Sequence, residues 1–113
     1  MEAENADCPC LKPEYDHAAY ESRYLGMDRR YYGDVHVQVC RRCARIWLHY
    51  HYENEAFSES GRWYRGLISQ KTLDVLTAEN ALEILSKLDW HYCGGSWYGG
   101  KVIRSSGPPD IWP

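Results

Sequence analysis

The sequence predicts an α+β fold: a small antiparallel sheet of three to four strands with one or two helices packed against it. Three patterns carry that expectation. Val35, Val37 and Val39 alternate with Asp34, His36 and Gln38, the period of two that marks a half-buried strand. After a short turn, Ile46, Leu48, Tyr50 and Tyr52 alternate with Arg45, Trp47, His49 and His51, a second strand rich in β formers, so the two make a hairpin. Further on the period changes. Ala78, Ala81, Leu82, Leu85 and Leu88 fall on one stripe with Glu79, Glu83 and Lys87 outside it, an amphipathic helix over 77–89 that Thr77 is placed to cap.

The remaining elements are read around these. Residues 13–27 are expected to form a first helix, with Pro13 in its first turn, acidic Glu14 and Asp16 beside the positive end of its dipole, Gly26 at its end, and Tyr20, Tyr24 and Met27 on one face. ENEAFSESG at 53–61 is a polar loop, and RWYRGLIS at 62–69 supplies a third strand antiparallel to the second. In the hairpin, Val37 is expected opposite Ile46 and Val35 opposite Leu48, leaving Asp34, His36, Trp47, His49 and His51 on the other face. The tail holds a glycine-rich loop, a short strand over 101–104 and a proline-broken end, where Trp112 is expected to fold back on the domain.

A chain of 113 residues, 44% of them hydrophobic and with neither repeat nor long linker, fits one domain over 1–113, with residues 1–7 flexible and 105–113 irregular. No run approaches the roughly 18 apolar residues of a membrane span. The acidic start MEAENAD is unlike a signal peptide, so a cytoplasmic location is expected. There, five cysteines in closely spaced pairs point to metal rather than to disulfides, which would leave one cysteine over.

Cys40 and Cys43 enclose two residues, the spacing that presents two sulfurs on one side of a tight turn, and they sit where the hairpin must reverse. Cys8 and Cys10 enclose only Pro9, whose fixed φ limits that loop. With CPC at 8–10 and CRRC at 40–43, the chain resembles a zinc ribbon over residues 8–69: a cysteine pair near the N-terminus, a second pair in a hairpin turn, and a third strand alongside. The resemblance implies one structural Zn²⁺ held by Cys8, Cys10, Cys40 and Cys43. Ribbons carry two C-x-x-C knuckles, often with Gly after the second cysteine. Here the first pair is C-x-C, Ala44 occupies the Gly position, and the 29 residues between the pairs form an insertion. His17 and Cys93 are reserve ligands; the alternatives to zinc are an incidental CPC with free or packed thiols and, after it, iron–sulfur or redox use.

The formal charge of −3 becomes roughly −5 once four thiolates hold a divalent ion, a balance that opposes phosphate backbones. Arg29, Arg30, Arg41, Arg42 and Arg45 are expected around the knuckle, either as a phosphate-binding patch or as countercharge to the thiolates. His36, His49 and His51 with Asp34 offer a second metal site or acid–base chemistry, against the simpler reading of a solvated sheet face. GGSWYGGK at 94–101 approaches a phosphate-binding loop, but Val102 stands where a hydroxyl would reach Mg²⁺, so it reads as a turn presenting Trp97 and Tyr98. Those rings, with Trp63, Tyr64, Trp90 and Tyr92, form either a contact patch or the core of a chain poor in Phe.

The expected function is therefore a non-enzymatic, zinc-stabilised protein-interaction domain with an inhibitory or regulatory role, such as neutralising a bacterial toxin. Arg41, Arg42, Trp47, Trp63, Trp97 and Tyr98 are its candidate contact residues. A nucleic-acid-associated ribbon docking through the knuckle arginines is second. A metal-dependent enzyme using the His36, His49 and His51 face is third.

Overall fold

The alternating segments are realised in one open antiparallel sheet in which every strand pairs with its neighbour in sequence. A computed structural model describes residues 8–13, 16–53 and 58–109. Its six strands are β1 (Tyr20–Asp28), β2 (Gly33–Cys40), β3 (Ile46–Tyr52), β4 (Arg62–Ile68), β5 (His91–Gly94) and β6 (Ile103–Ser105). Two short helices, α1 (Gln70–Val75) and α2 (Ala81–Lys87), lie in the β4–β5 connection. Among the described residues, no helix is long and apolar enough to cross a membrane.

The two faces of the sheet carry different cores. On the helical face Val35, Val37, Leu48, Tyr50, Tyr64 and Ile68 pack under Leu76, Ala81 and Leu85. Gly66 allows this approach, because a Cβ there would meet Leu88 Cδ1 at 2.4 Å. Thr77 caps the turn at 78–80 rather than the helix itself, whose N-cap is Asn80: the Thr77 hydroxyl accepts from the Asn80 N–H (3.2 Å), and the Asn80 side chain accepts in return from the Thr77 N–H (2.7 Å). The helix that follows is shorter than the stripe, since residues 78–80 form a turn before α2. Ser69 caps α1 by accepting from the Thr72 N–H (3.1 Å).

Residues 13–27 do not form the expected helix. Their described part is a single 3-10 turn at His17–Ala19 leading directly into β1. Tyr is a poor helix former and a good strand former, and ladder bonds to β2 from Tyr20 opposite Cys40 onward outweigh the weak helical pattern. The hairpin register also differs by two residues, with Val37 opposite Leu48 and Val35 opposite Tyr50. A two-residue shift preserves which side chains share a face, so the division expected for this hairpin stands. The last strand begins two residues later than expected, and Trp112 lies outside the described residues.

The β1–β2 connection is held from inside. Asp28 is fully buried, and its carboxylate accepts from the Tyr50 hydroxyl (3.0 Å) and the Arg30 N–H (3.0 Å). Burial and this carboxylate together raise the Tyr50 hydroxyl well above its ordinary range. Gly33 lies over the same ring: a Cβ there would stand 2.1 Å from Tyr50 Cε1. Gly33→Ala is therefore expected to cost about 2–3 kcal/mol by overpacking, seen as a lowered urea midpoint with an unchanged slope.

Candidate metal centre

The turn between β2 and β3 places one cysteine pair, and the N-terminal segment brings the other to it. Cys40 ends β2. Its carbonyl accepts from the Ala44 N–H (2.9 Å), and its N–H donates to the Arg45 carbonyl (2.9 Å), which closes the turn around Cys43. Cys8 and Cys10 flank the start of a 3-10 turn over Pro9–Leu11, whose backbone is tied to the sheet where the Tyr92 hydroxyl donates to the Leu11 carbonyl (2.6 Å). Ala44 adopts φ 65°, the left-handed conformation that Gly takes up without strain. Because Ala44 is exposed, Ala44→Gly is expected to raise stability by about 0.5–1 kcal/mol, measured by chemical denaturation.

The four sulfurs converge. Cys8 Sγ lies 3.6 Å from Cys40 Sγ, Cys10 Sγ lies 3.5 Å from Cys43 Sγ, and all four fall within 4.8 Å of one another. A zinc–sulfur bond of about 2.3 Å requires sulfurs about 3.8 Å apart at the corners of a tetrahedron, so the cage has the right size. Cys8, Cys10 and Cys40 are buried and Cys43 is half-buried. Cys93 is on the opposite face of the sheet, packed with the helical core, and His17 is exposed, so neither reserve residue joins the group.

Burial opposes ionisation of two of the four sulfurs, so the thiolates of a closed cage would need a cation to offset that cost. With thiols alone, burial raises Cys8, and burial pushes Cys10 up to about 12. Burial also opposes ionisation of Cys43, but hydrogen bonds from the Arg45 backbone and guanidinium outweigh it and bring Cys43 to about 7. The fully buried indole N–H of Trp47 makes no conventional hydrogen bond; it acts on the Cys10 sulfur, where it favours the thiolate. A metal-bound thiolate is the acceptor that this N–H lacks among neutral thiols. The buried Arg65 guanidinium lies 4.0 Å over the Trp47 ring and 5.0 Å from that of Tyr20, placing a positive charge one side chain away from the cysteines. The donor set thus fits a divalent ion, with Cys8, Cys10, Cys40 and Cys43 as its ligands. Such an ion would cross-link the N-terminal segment to the hairpin and leave no open position for chemistry.

The expected contact residues are dispersed. Arg41 and Arg42 are exposed at the knuckle, whereas Trp47 is wholly buried between the cysteines, Trp90 and Tyr92. Trp63 is half-buried and stacked on His49. Trp97 is 43% exposed with Arg62 4.1 Å over its ring, and the Tyr98 hydroxyl meets that of Tyr64 at 3.0 Å. Trp90, Tyr92 and Tyr64 serve the two cores rather than a contact patch. Arg29 and Arg30 sit in the β1–β2 turn, an eight-residue strand of roughly 26 Å away from the knuckle, so only Arg41, Arg42 and Arg45 surround the cysteines.

The histidines remain on one face without converging. His36 is opposite His49 with ring centroids 6.3 Å apart, and His51 is opposite Asp34. Among the described residues, the four cysteines are the group whose donor atoms come together for a metal. Burial, reinforced by Arg65 and the other two imidazoles, holds His49 down to about 3, so it is neutral near pH 7. The loop at 95–102 contains one 3-10 turn and leads into β6 rather than into the helix that a phosphate-binding loop requires. Comparison with protein families, curated proteins and solved structures gives no match for the chain.

Proposed function

We propose that the chain is a zinc-stabilised, non-enzymatic binding domain that engages a protein partner through the part of the sheet face beyond the cysteine site. One observation carries this reading. The lower end of that face is sealed by the cysteines, Trp47, Trp90 and Tyr92, while the upper end carries Tyr24, Asp34, His36, His51 and Trp63, all partly or fully exposed on adjacent strands. A rigid sheet presenting aromatic rings and imidazoles suits recognition, because little side-chain freedom is lost on binding. An inhibitory or regulatory role is the finer form of the proposal.

Immobilised wild-type chain is expected to retain a stoichiometric protein partner from its native source, and the purified partner to rebind it in solution. His36→Ala with Trp63→Ala should weaken that binding at least tenfold without loss of fold. Binding unchanged by these substitutions would sink the proposal. The exposed Arg41 and Arg42 favour a second reading, docking to nucleic acid at the knuckle. Net negative charge counts against it, and a salt-dependent mobility shift abolished by Arg41→Ala and Arg42→Ala would establish it.

A further inference from the structure

β1 is an edge of the sheet, and Glu21, Ser22, Arg23 and Tyr24 along it are exposed. The hydrogen bonding at its start shows which backbone groups face outward. The Arg41 N–H donates to the Ala19 carbonyl (3.0 Å), and bonded and non-bonded positions alternate along an antiparallel ladder. With Glu21 opposite Val39 and Arg23 opposite Val37, these odd-numbered residues turn their peptide groups toward β2. Tyr20, Ser22 and Tyr24 therefore turn theirs to the open edge. The Tyr20 N–H is taken by the His17 carbonyl, and the backbone groups of Ser22 and Tyr24 turn outward. A register shift between Tyr24 and Gly26 ends the regular stretch. Residues 20–24 contain no Pro, and the two charges they carry, Glu21 and Arg23, are of opposite sign, so they repel an approaching strand only in some registers.

We infer that this edge is a homodimer interface, in which two copies pair β1 to β1 antiparallel about a two-fold axis through Ser22. Self-complementarity is what a two-fold contact demands, and this register supplies it. Ser22 meets Ser22 of the second copy, and the two exchange about two backbone hydrogen bonds through their outward groups. Glu21 and Arg23 meet their opposites at the closely spaced, non-bonded positions, one ion pair on each side of the axis. Neighbouring registers of the same phase are disfavoured, because centring on Glu21 or on Arg23 sets like charges face to face. A hollow of about 370 Å³, lined by Glu21, Arg23, Val37, Val39 and Leu73, opens beside this stretch on the helical face, where the second copy's charged side chains would fall. The dimer continues one sheet across both chains and doubles the face assigned to the partner. The inference does not rest on that assignment, since it is read from mass rather than from partner capture.

Light scattering on the full chain at high micromolar concentration is expected to give about twice the 13.2 kDa of one chain. Ser22→Pro removes an N–H that points away from β2, so it should return the monomer mass with an unchanged circular dichroism spectrum. Arg23→Glu sets like charges opposite one another and is expected to weaken the dimer about tenfold or more, and Glu21→Arg with Arg23→Glu should restore it. The charge pair decides the matter should the proline variant misfold. A monomeric wild type overturns the inference, as does a dimer indifferent to Arg23→Glu or one that the double exchange fails to restore.

Discussion

Replacing Cys40 with Ser is expected to abolish stoichiometric metal binding and to cost the protein about 4 kcal/mol, the stabilisation a site confers when free metal exceeds its Kd about a thousandfold. The effect is large because Cys40 joins both parts of the architecture. It ends β2, its backbone closes the knuckle turn, and its sulfur meets that of Cys8 across 32 residues of sequence. Losing the metal frees the N-terminal segment from the sheet, and the binding energy of a structural ion is folding energy. Denaturation with and without a strong chelator checks this: chelation should shift the wild type toward the variant and leave the variant unmoved. Cys93→Ala, on the opposite face, should keep its chelator sensitivity.

Trp47→Ala is expected to cost about 3–5 kcal/mol, as removal of a large buried ring does. The indole is completely buried, stacked on Tyr92 with centroids 6.2 Å apart, crossed by Trp90, and covered by the Arg65 guanidinium. Trp47→Phe separates packing from chemistry. It keeps most of the ring but removes the N–H that favours the Cys10 thiolate, so stability should fall less while metal affinity falls about 10–100-fold. Competition with a chromophoric chelator reads the affinity, and urea denaturation reads the packing. An affinity equal to wild type in Trp47→Phe would show that the N–H plays no part in holding the metal.

The fold was legible where one signal dominated. The Val35, Val37 and Val39 alternation, the β3 run and the Leu85 stripe each had a single period, and each formed the expected type of element. Residues 20–28 had two readings. Tyr20, Tyr24 and Met27 share a face at helical spacing, but a helix there would have left the β2 edge unpaired, a tertiary consequence that no local pattern reveals. His91–Gly94 was hidden for a related reason: this strand is short and fully buried, so it lacks the polar alternation that marks a half-exposed one.

The cysteine site was legible from spacing alone, because both pairs are local in sequence and the hairpin turn fixes one of them. Its supporting residues were not. Trp47 is in a half-exposed pattern and read as a contact residue, yet the N-terminal segment, Trp90 and Tyr92 cover it from distant parts of the chain. Arg65 carried a usable signal. It shares a strand face with Trp63 and Leu67, the face that also bears Trp47, and a cation among large rings marks a buried charge that needs a reason. The nearby anionic cage is such a reason. Arg29 and Arg30 do not join the knuckle arginines, because the full length of β2 separates the two ends of that strand.

Elemental analysis of native protein purified without chelator tests the central claim most directly, combined with titration of its free thiols. The four-cysteine cage predicts one zinc per chain, with Cys8, Cys10, Cys40 and Cys43 protected from a thiol reagent until the metal is withdrawn. Protein that carries no stoichiometric metal, in which these four cysteines react as readily before chelation as after it, would contradict the account.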